Sequence, residues 1–186
     1  MDRVTYHEQT DMENILKLRE VLRTLPEFSR DYFRAIDSTT TTKTRISYAY
    51  DIRIFFQFLV NENPLFKDKK ITDLTIDVLD QVQALDIEEF MEYLKVYKDN
   101  QDTYVTNGET GLKRKISTLR SFYNYYFKHE MIKTNPPALI TMPKLHEKAI
   151  VRLDTDEVAM LLGLYRACRG STFRTEKSLL RKNKNP

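Results

Sequence analysis

The stretch 111-GLKRKISTLRSFYNYYFK-128 decides how the rest of the chain is read. Its apolar residues Leu112, Ile116, Leu119, Phe122, Tyr123 and Tyr126 recur at steps of four, three, three, one and three, which puts them on one side of a helix with about 3.6 residues per turn. A side this large and aromatic belongs to a core. The opposite side carries Lys113, Arg114, Ser117, Ser121, Asn124 and Lys128, basic and hydroxyl-rich, with no carboxylate of its own. Such a strip suits a polyphosphate backbone, where cations neutralise charge and hydroxyls or amides reach phosphate oxygens or base edges. On an isolated helix the same strip is ordinarily a solvated face, so its neighbours in the chain decide between the two.

Moving outward, 43-KTRISYAYDIRIFFQFLVN-61 reads as a second long amphipathic helix. Tyr48, Ile52, Phe55, Phe56 and Leu59 face inward, and Lys43, Ile46, Ser47, Tyr50, Arg53 and Gln57 face outward. The threonine run 39–42 breaks the chain before it and offers a cap. Further upstream, residues 11–25 carry Met12, Ile15, Leu18 (or Leu16), Val21, Leu22 and Leu25 at helical spacing until Pro26 stops them, and Phe28 to Ile36 suggest a short helix. Between the two long helices, residues 72–82 suggest a short irregular helical segment. Asp86-Ile87-Glu88-Glu89 is a capping-box pattern that predicts a helix to about Asn100, with Ile87, Phe90, Met91, Leu94 and Tyr97 inward. The carboxylates Asp86, Glu88, Glu89 and Glu92 are read as compensating that helix's dipole, not as paired catalytic acids. Residues 101–110 read as a polar loop, with a second capping box at 106–109. After Lys128, Asn135-Pro136-Pro137 ends the helical run, 138–150 read as an extended linker, and Asp154 to Glu157 offer a third capping box. The basic segment 170–186 lacks an organised apolar face and is expected to be poorly ordered.

Composition bounds the class. Ten Phe and eleven Tyr within 41% hydrophobic residues call for a folded chain, and four glycines with six prolines among long helical periods call for an all-α one. One cysteine, Cys168, excludes an internal disulfide framework. The opening residues have no apolar signal core, and no run approaches the roughly 20 apolar residues of a membrane span. The expectation is a soluble, cytoplasmic protein. His7, His129 and His146 lack ligand partners at metal spacing, so they are read as surface residues and no metal or other cofactor is expected. The net charge of +3 is segregated: −2 over residues 1–42, +2 over 43–60, −7 over 61–110, +6 over 111–148 and +4 over 149–186. A surface so divided draws a polyanion to two helices and leaves its acidic part for water or another protein.

Two motifs in order then carry a resemblance. Thr44-x3-Tyr48-x2-Asp51-Ile52-x2-Phe55-x2-Phe58-Leu59 resembles the first conserved helix of the core-binding domain of tyrosine recombinases, the phage integrase and Xer group. Arg114-Lys115-Ile116-Ser117-x-Leu119-Arg120-x-Phe122-Tyr123-x2-Tyr126, followed by Asn135-Pro136 and Pro143-Lys144, resembles the last helix of that domain and its exit. Residues 152–162 resemble the first helix of the family's catalytic domain, and the helices before Thr44 resemble those of extended Xer-like members. The resemblance implies a SAM-like bundle of four or five helices forming half of a clamp on double-stranded DNA. It also implies docking of the first core-binding helix on a neighbouring protomer. The domains expected are an extension over 1–25, the core-binding domain over 26–137, a linker over 138–150, and the start of a catalytic domain over 151–186.

The family's chemistry uses an arginine, a lysine, a His-x-x-Arg pair, a further His or Trp, and a tyrosine that forms a phosphotyrosyl link without a metal. Nothing after Leu162 resembles the arginine motif, His-x-x-Arg is missing, and no tyrosine follows Tyr165. Hence the chain as given is expected to bind DNA without cleaving it, with no catalytic residues. Lys43, Arg45, Lys113, Arg114 and Lys128 are the expected phosphate contacts; Ser47, Tyr50, Ser117 and Ser121 are the expected base-edge contacts. The competing reading is a helical protein-interaction module with no DNA binding, its partner surface formed by the acidic 86–102 region and the N-terminal helices. An intact enzyme ranks third.

Overall fold

The computed structural model describes residues 5–67, 69–99, 102–142, 154, 156–160 and 162, excepting the side chain of His7. The chain divides into two compact units, Met1–His146 and Glu147–Pro186. In the first, α1 spans Tyr6–Leu22, α2 Ser29–Ala35 and α3 Thr42–Glu62. A 3₁₀ turn at Ile71–Asp73 and a one-turn α4 at Val78–Gln81 lead to α5, Ala84–Tyr93. Strands β1 (Val96–Lys98) and β2 (Tyr104–Thr106) pair antiparallel with Tyr97 opposite Val105, and α6 (Glu109–Lys128) and α7 (Pro136–Leu139) follow.

Local chemistry sets these boundaries. Thr5 and Glu8 close a capping box that starts α1 five residues earlier than the apolar spacing predicts. Thr41 caps α3 by accepting from the Thr44 amide at 3.2 Å, as the threonine run leads one to expect. The box that starts α5 is shifted: Gln83 is the cap, and the Asp86 carboxylate accepts from its amide at 2.7 Å. The expected helix to Asn100 is corrected, because α5 stops at Tyr93 and the chain turns into the hairpin. Tyr93 stacks on Tyr97 at 5.4 Å, and the Asn107 side chain donates to the Leu94 carbonyl at 2.7 Å, anchoring that turn. Part of the expected polar loop is therefore β2, and α6 begins at Glu109 with Gly108 as its cap and no side-chain cap bond. The chain leaves α6 after Lys128 through Glu130, whose φ of 56° ends the helix ahead of the Asn135-Pro136-Pro137 stop.

The core is aromatic and lies where α3 and α6 face each other. Phe55, Phe56, Leu59, Phe90, Leu94, Leu119, Phe122, Tyr123 and Tyr126 are all buried, as the spacing predicts. Rings of Phe55 and Phe90 sit 5.1 Å apart and those of Phe122 and Tyr126 5.1 Å apart, mostly edge to face. Tyr126 donates its hydroxyl to the Phe28 carbonyl at 2.7 Å, so a ring from α6 locks the entry to α2. Helix α1 packs along α3 through Leu18 and Val21. Met12 is exposed instead of inward, and Ile46, expected outside, is buried where α1 lies over α3.

At the end of the unit, Arg120 of α6 donates to the carbonyls of Pro137, at 2.8 Å, and Ile140. Residues 138–140 of the expected linker therefore lie in α7 and against α6, with Ile140 buried. Residues 143–150, including Pro143 and Lys144, lie outside the described residues, as do 163–186 with Cys168. In the second unit, residues 156–160 are helical, and the Asp154 amide donates to the Glu157 carboxylate at 3.0 Å, half of the third capping box. Arg152, Leu153, Thr155 and Leu161 of the expected catalytic-domain helix lie outside the described residues.

Candidate nucleic-acid interface

Helices α3 and α6 run in the same direction along each other: Asp51 meets Arg114, and further along both helices Phe56 meets Phe122, their ring centres 6.2 Å apart. Their starts therefore share one end of the bundle. Lys43 and Lys113 lie near that end, both exposed. Lys128 closes α6 fifteen residues later, about 22 Å away along the axis at 1.5 Å per residue. Ser117 and Asn124 are exposed between the two lysines of α6, while Ser47 and Tyr50 are half-buried on α3. Tyr50 is covered by the Arg53 guanidinium at 4.8 Å from its ring centre.

Three of the expected contacts are engaged inside the protein. Arg45 pairs with Asp37 and is mostly buried. Ser121 accepts a hydrogen bond from the Tyr32 hydroxyl at 2.9 Å, and burial, opposed by that bond, pushes the Tyr32 phenol up to about 12. Arg114 grips Asp51 with both terminal nitrogens, one of them at 2.8 Å. Asp51 is the carboxylate that the α6 strip lacks in its own sequence. Only 3% of its side chain is exposed, and it also lies 3.5 Å from the buried Lys115 ammonium and accepts from the Thr118 hydroxyl at 3.1 Å. Burial pushes the Asp51 carboxyl up, while Arg114, Lys115 and the Thr118 hydroxyl hold it down. The result is a rigid joint between α3 and α6 at the edge of the cationic strip.

The acids of α5 stand apart from this strip. Asp86 accepts from the Gln83 amide and, at 2.7 Å, from the Asn63 side chain, so it is a cap and a brace; Glu88, Glu89 and Glu92 are exposed. His129 is exposed, and His146 lies outside the described residues. Among the described residues no cluster of His, Cys, Asp or Glu is arranged to hold a metal, and no helix is long and apolar enough to cross a membrane.

With this geometry in place, sequence comparison is informative. Tyrosine recombinase XerC of Caldanaerobacter subterraneus is 30% identical over 139 residues, which cover 71% of this chain and 37% of that protein. A tyrosine recombinase of Thermosipho africanus is 33% identical over 102 residues, 55% of this chain and 35% of its own length. Tyrosine recombinase XerS of Streptococcus uberis is 28% identical over 113 residues, 59% and 31% respectively. This chain carries a Xer-like tyrosine recombinase region. It spans about a third of the length of these curated relatives. No family model and no solved structure matches it. The mostly helical bundle, with one two-stranded hairpin among the described residues, is consistent with an all-α core-binding domain. The Asp51, Lys115 and Thr118 cluster of this domain escaped the residue-by-residue reading. A signal existed, since Asp51 sits among inward-facing apolar residues of α3 and a buried carboxylate requires a cation from elsewhere.

Proposed function

We propose that this unit is the DNA-binding arm of a site-specific tyrosine recombinase or integrase, acting in DNA integration and recombination. Its duplex-facing surface is the start of α3 together with the outer strip of α6. The observation that carries the proposal is the strip itself: Lys113, Ser117, Asn124 and Lys128 are exposed in register along α6 without an acidic partner among the described residues. Lys43 stands at the same end as Lys113. Lysines at both ends of α6 position the helix on phosphates, and Ser117 and Asn124 between them reach toward base edges in a major groove wide enough to take a helix. The Arg114 to Asp51 pair keeps α3 and α6 fixed relative to each other, so both arrive on the duplex as one body. In this reading the unit contributes duplex binding, and none of its residues is assigned a part in strand cleavage.

The test is an anisotropy titration against duplexes of differing sequence at several salt concentrations. Lys113→Ala and Lys128→Ala are expected to weaken binding to all duplexes alike and to reduce the salt slope by about one per lost phosphate contact. Ser117→Ala is expected to change discrimination between duplexes with little change of slope. Unaltered binding by a folded Lys113→Glu/Lys128→Glu variant would overturn the assignment. Absence of a denaturant-resistant adduct with a nicked duplex is the expected result for cleavage.

A further inference from the structure

A pocket of about 400 Å³ opens where α7 meets the outer side of α6, lined by Arg120, Ser121, Asn124, Asn135 and Ala138, with no carboxylate among its described lining residues. It continues the cationic strip, since Ser121 stands one turn after Ser117 and Asn124 one turn before Lys128. Three of its side chains keep a donor for an occupant. The Arg120 Nε donates to the Pro137 carbonyl at 2.8 Å and one terminal nitrogen donates to the Ile140 carbonyl, while the other terminal nitrogen has no protein partner among the described residues. Two backbone bonds thus fix a planar guanidinium that retains free N–H groups, so an anion meets it already ordered. Ser121 uses its oxygen to accept from the Tyr32 hydroxyl at 2.9 Å, and its own hydrogen is left to donate. Asn135 buries its Oδ1 without a partner, which leaves the amide nitrogen as its outward group.

A pocket furnished with donors, one of them a fixed guanidinium, selects an oxyanion. Its place on the strip says which one. We propose that the pocket seats a single phosphate of the duplex backbone, with Arg120, Ser121 and Asn135 as its donors. Asn124, at the edge of the pocket, keeps its place toward base edges. The inference rests on the duplex-binding reading above and adds to it a site that none of the strip's lysines occupies. Because Arg120 also bonds the Pro137 and Ile140 carbonyls, one guanidinium ties the seated phosphate to the segment that leaves the bundle. The contact adds about 0.9 to the magnitude of the salt slope over the share of the lysines, which remains when Arg120 is replaced.

The test uses the full chain and a duplex drawn from a randomised pool by binding to the wild type, remade with one uncharged methylphosphonate linkage at each position in turn and titrated by anisotropy. Neutralising the seated linkage is expected to weaken the wild type about tenfold, as loss of a charge-assisted bond does. Asn135→Asp sets a carboxylate against that phosphate at unchanged side-chain size. It is expected to bind the duplex that is neutral at that linkage better than the unmodified one, reversing the wild-type preference. Arg120→Gln, shown folded by circular dichroism, is expected to lose its sensitivity to that linkage and to keep it at those met by Lys113 and Lys128. If no linkage distinguishes Asn135→Asp from the wild type, the seat is overturned and the lysine contacts stand; a wild type that binds no duplex overturns both readings. Titration with inorganic phosphate, followed through the Asn135 side-chain amide signals by NMR, separates the other source of the same chemistry. Saturation of those signals by free phosphate, with no dependence on any linkage, would assign the pocket to a free anion and overturn the duplex contact.

Discussion

Replacing Asp51 with Ala removes the acceptor that three side chains share. The consequences for those three differ, and the structure ranks them. Arg114 is 45% exposed along its side chain and turns to water at little cost. Thr118 keeps a bond to the Arg114 carbonyl at 3.1 Å. Lys115 is 8% exposed and is left as a buried ammonium without its counter-charge. Breaking a buried pair from one side typically costs about 3–5 kcal/mol, a large part of the roughly 5–15 kcal/mol that holds a domain together. Because burial outweighs the cations in setting the Asp51 carboxyl, the intact pair itself is worth little net, and removing both charges should be far milder than removing one. Urea denaturation of Asp51→Ala, Lys115→Met and the double variant forms the test. The expected order is a severe loss for Asp51→Ala and a partial recovery in the double variant. An Asp51→Ala unfolding free energy within about 1 kcal/mol of wild type, or no recovery on adding Lys115→Met, would refute the reasoning.

Phe55→Ala and Phe122→Ala are each expected to cost about 3–5 kcal/mol by thermal or urea denaturation, since both rings are fully buried among other aromatics. Stability should fall as pH rises above 10: Tyr32, Tyr123 and Tyr126 have phenols raised by burial, so above the ordinary tyrosine value the unfolded chain binds fewer protons than the folded one, a loss of about 1.4 kcal/mol per pH unit for each while it remains un-ionised. Absorbance at alkaline pH should show these phenols ionising only with unfolding. Asp80→Ala is expected to cost about 1–3 kcal/mol, because its carboxylate accepts from the Lys133 and Thr134 amides at 2.7 and 2.9 Å and ties α4 to the turn after α6. Faster exchange of those two amides would report the same loss.

The two long helices were legible because their apolar periods are long and aromatic, and Phe55, Leu59, Leu119 and Phe122 all lie in the core they predicted. The hairpin was not. Val96 to Lys98 and Tyr104 to Thr106 are three-residue strands whose pairing depends on the stacking of Tyr93 on Tyr97 and on Asn107 reaching back to Leu94, contacts that no local period encodes. Ile46 and Met12 exchanged expected places for a related reason: α1 packs on α3, and a helix read alone does not reveal which of its flanks a neighbour will cover.

The same limitation acts on the interface, and there it changes a number. Read from sequence, Lys43, Arg45, Lys113, Arg114 and Lys128 make five cations, which on B-DNA would set a slope of log K against log salt of about −4.5 if all met phosphates. Asp37 and Asp51 come from other segments of the chain and already neutralise Arg45 and Arg114. A cation that arrives paired releases little counterion unless it first leaves its carboxylate, and Arg114 leaving Asp51 would strand a buried acid beside Lys115. The unpaired set is Lys43, Lys113 and Lys128, for which the slope is about −2.7. A measured slope near the lower magnitude would mean that the Arg114 to Asp51 joint stays closed on DNA and serves to hold α3 and α6 in register. A slope near the higher one would mean that the joint opens, and Lys115→Met, by removing the cation that steadies Asp51 from inside, should then alter duplex affinity as well as stability.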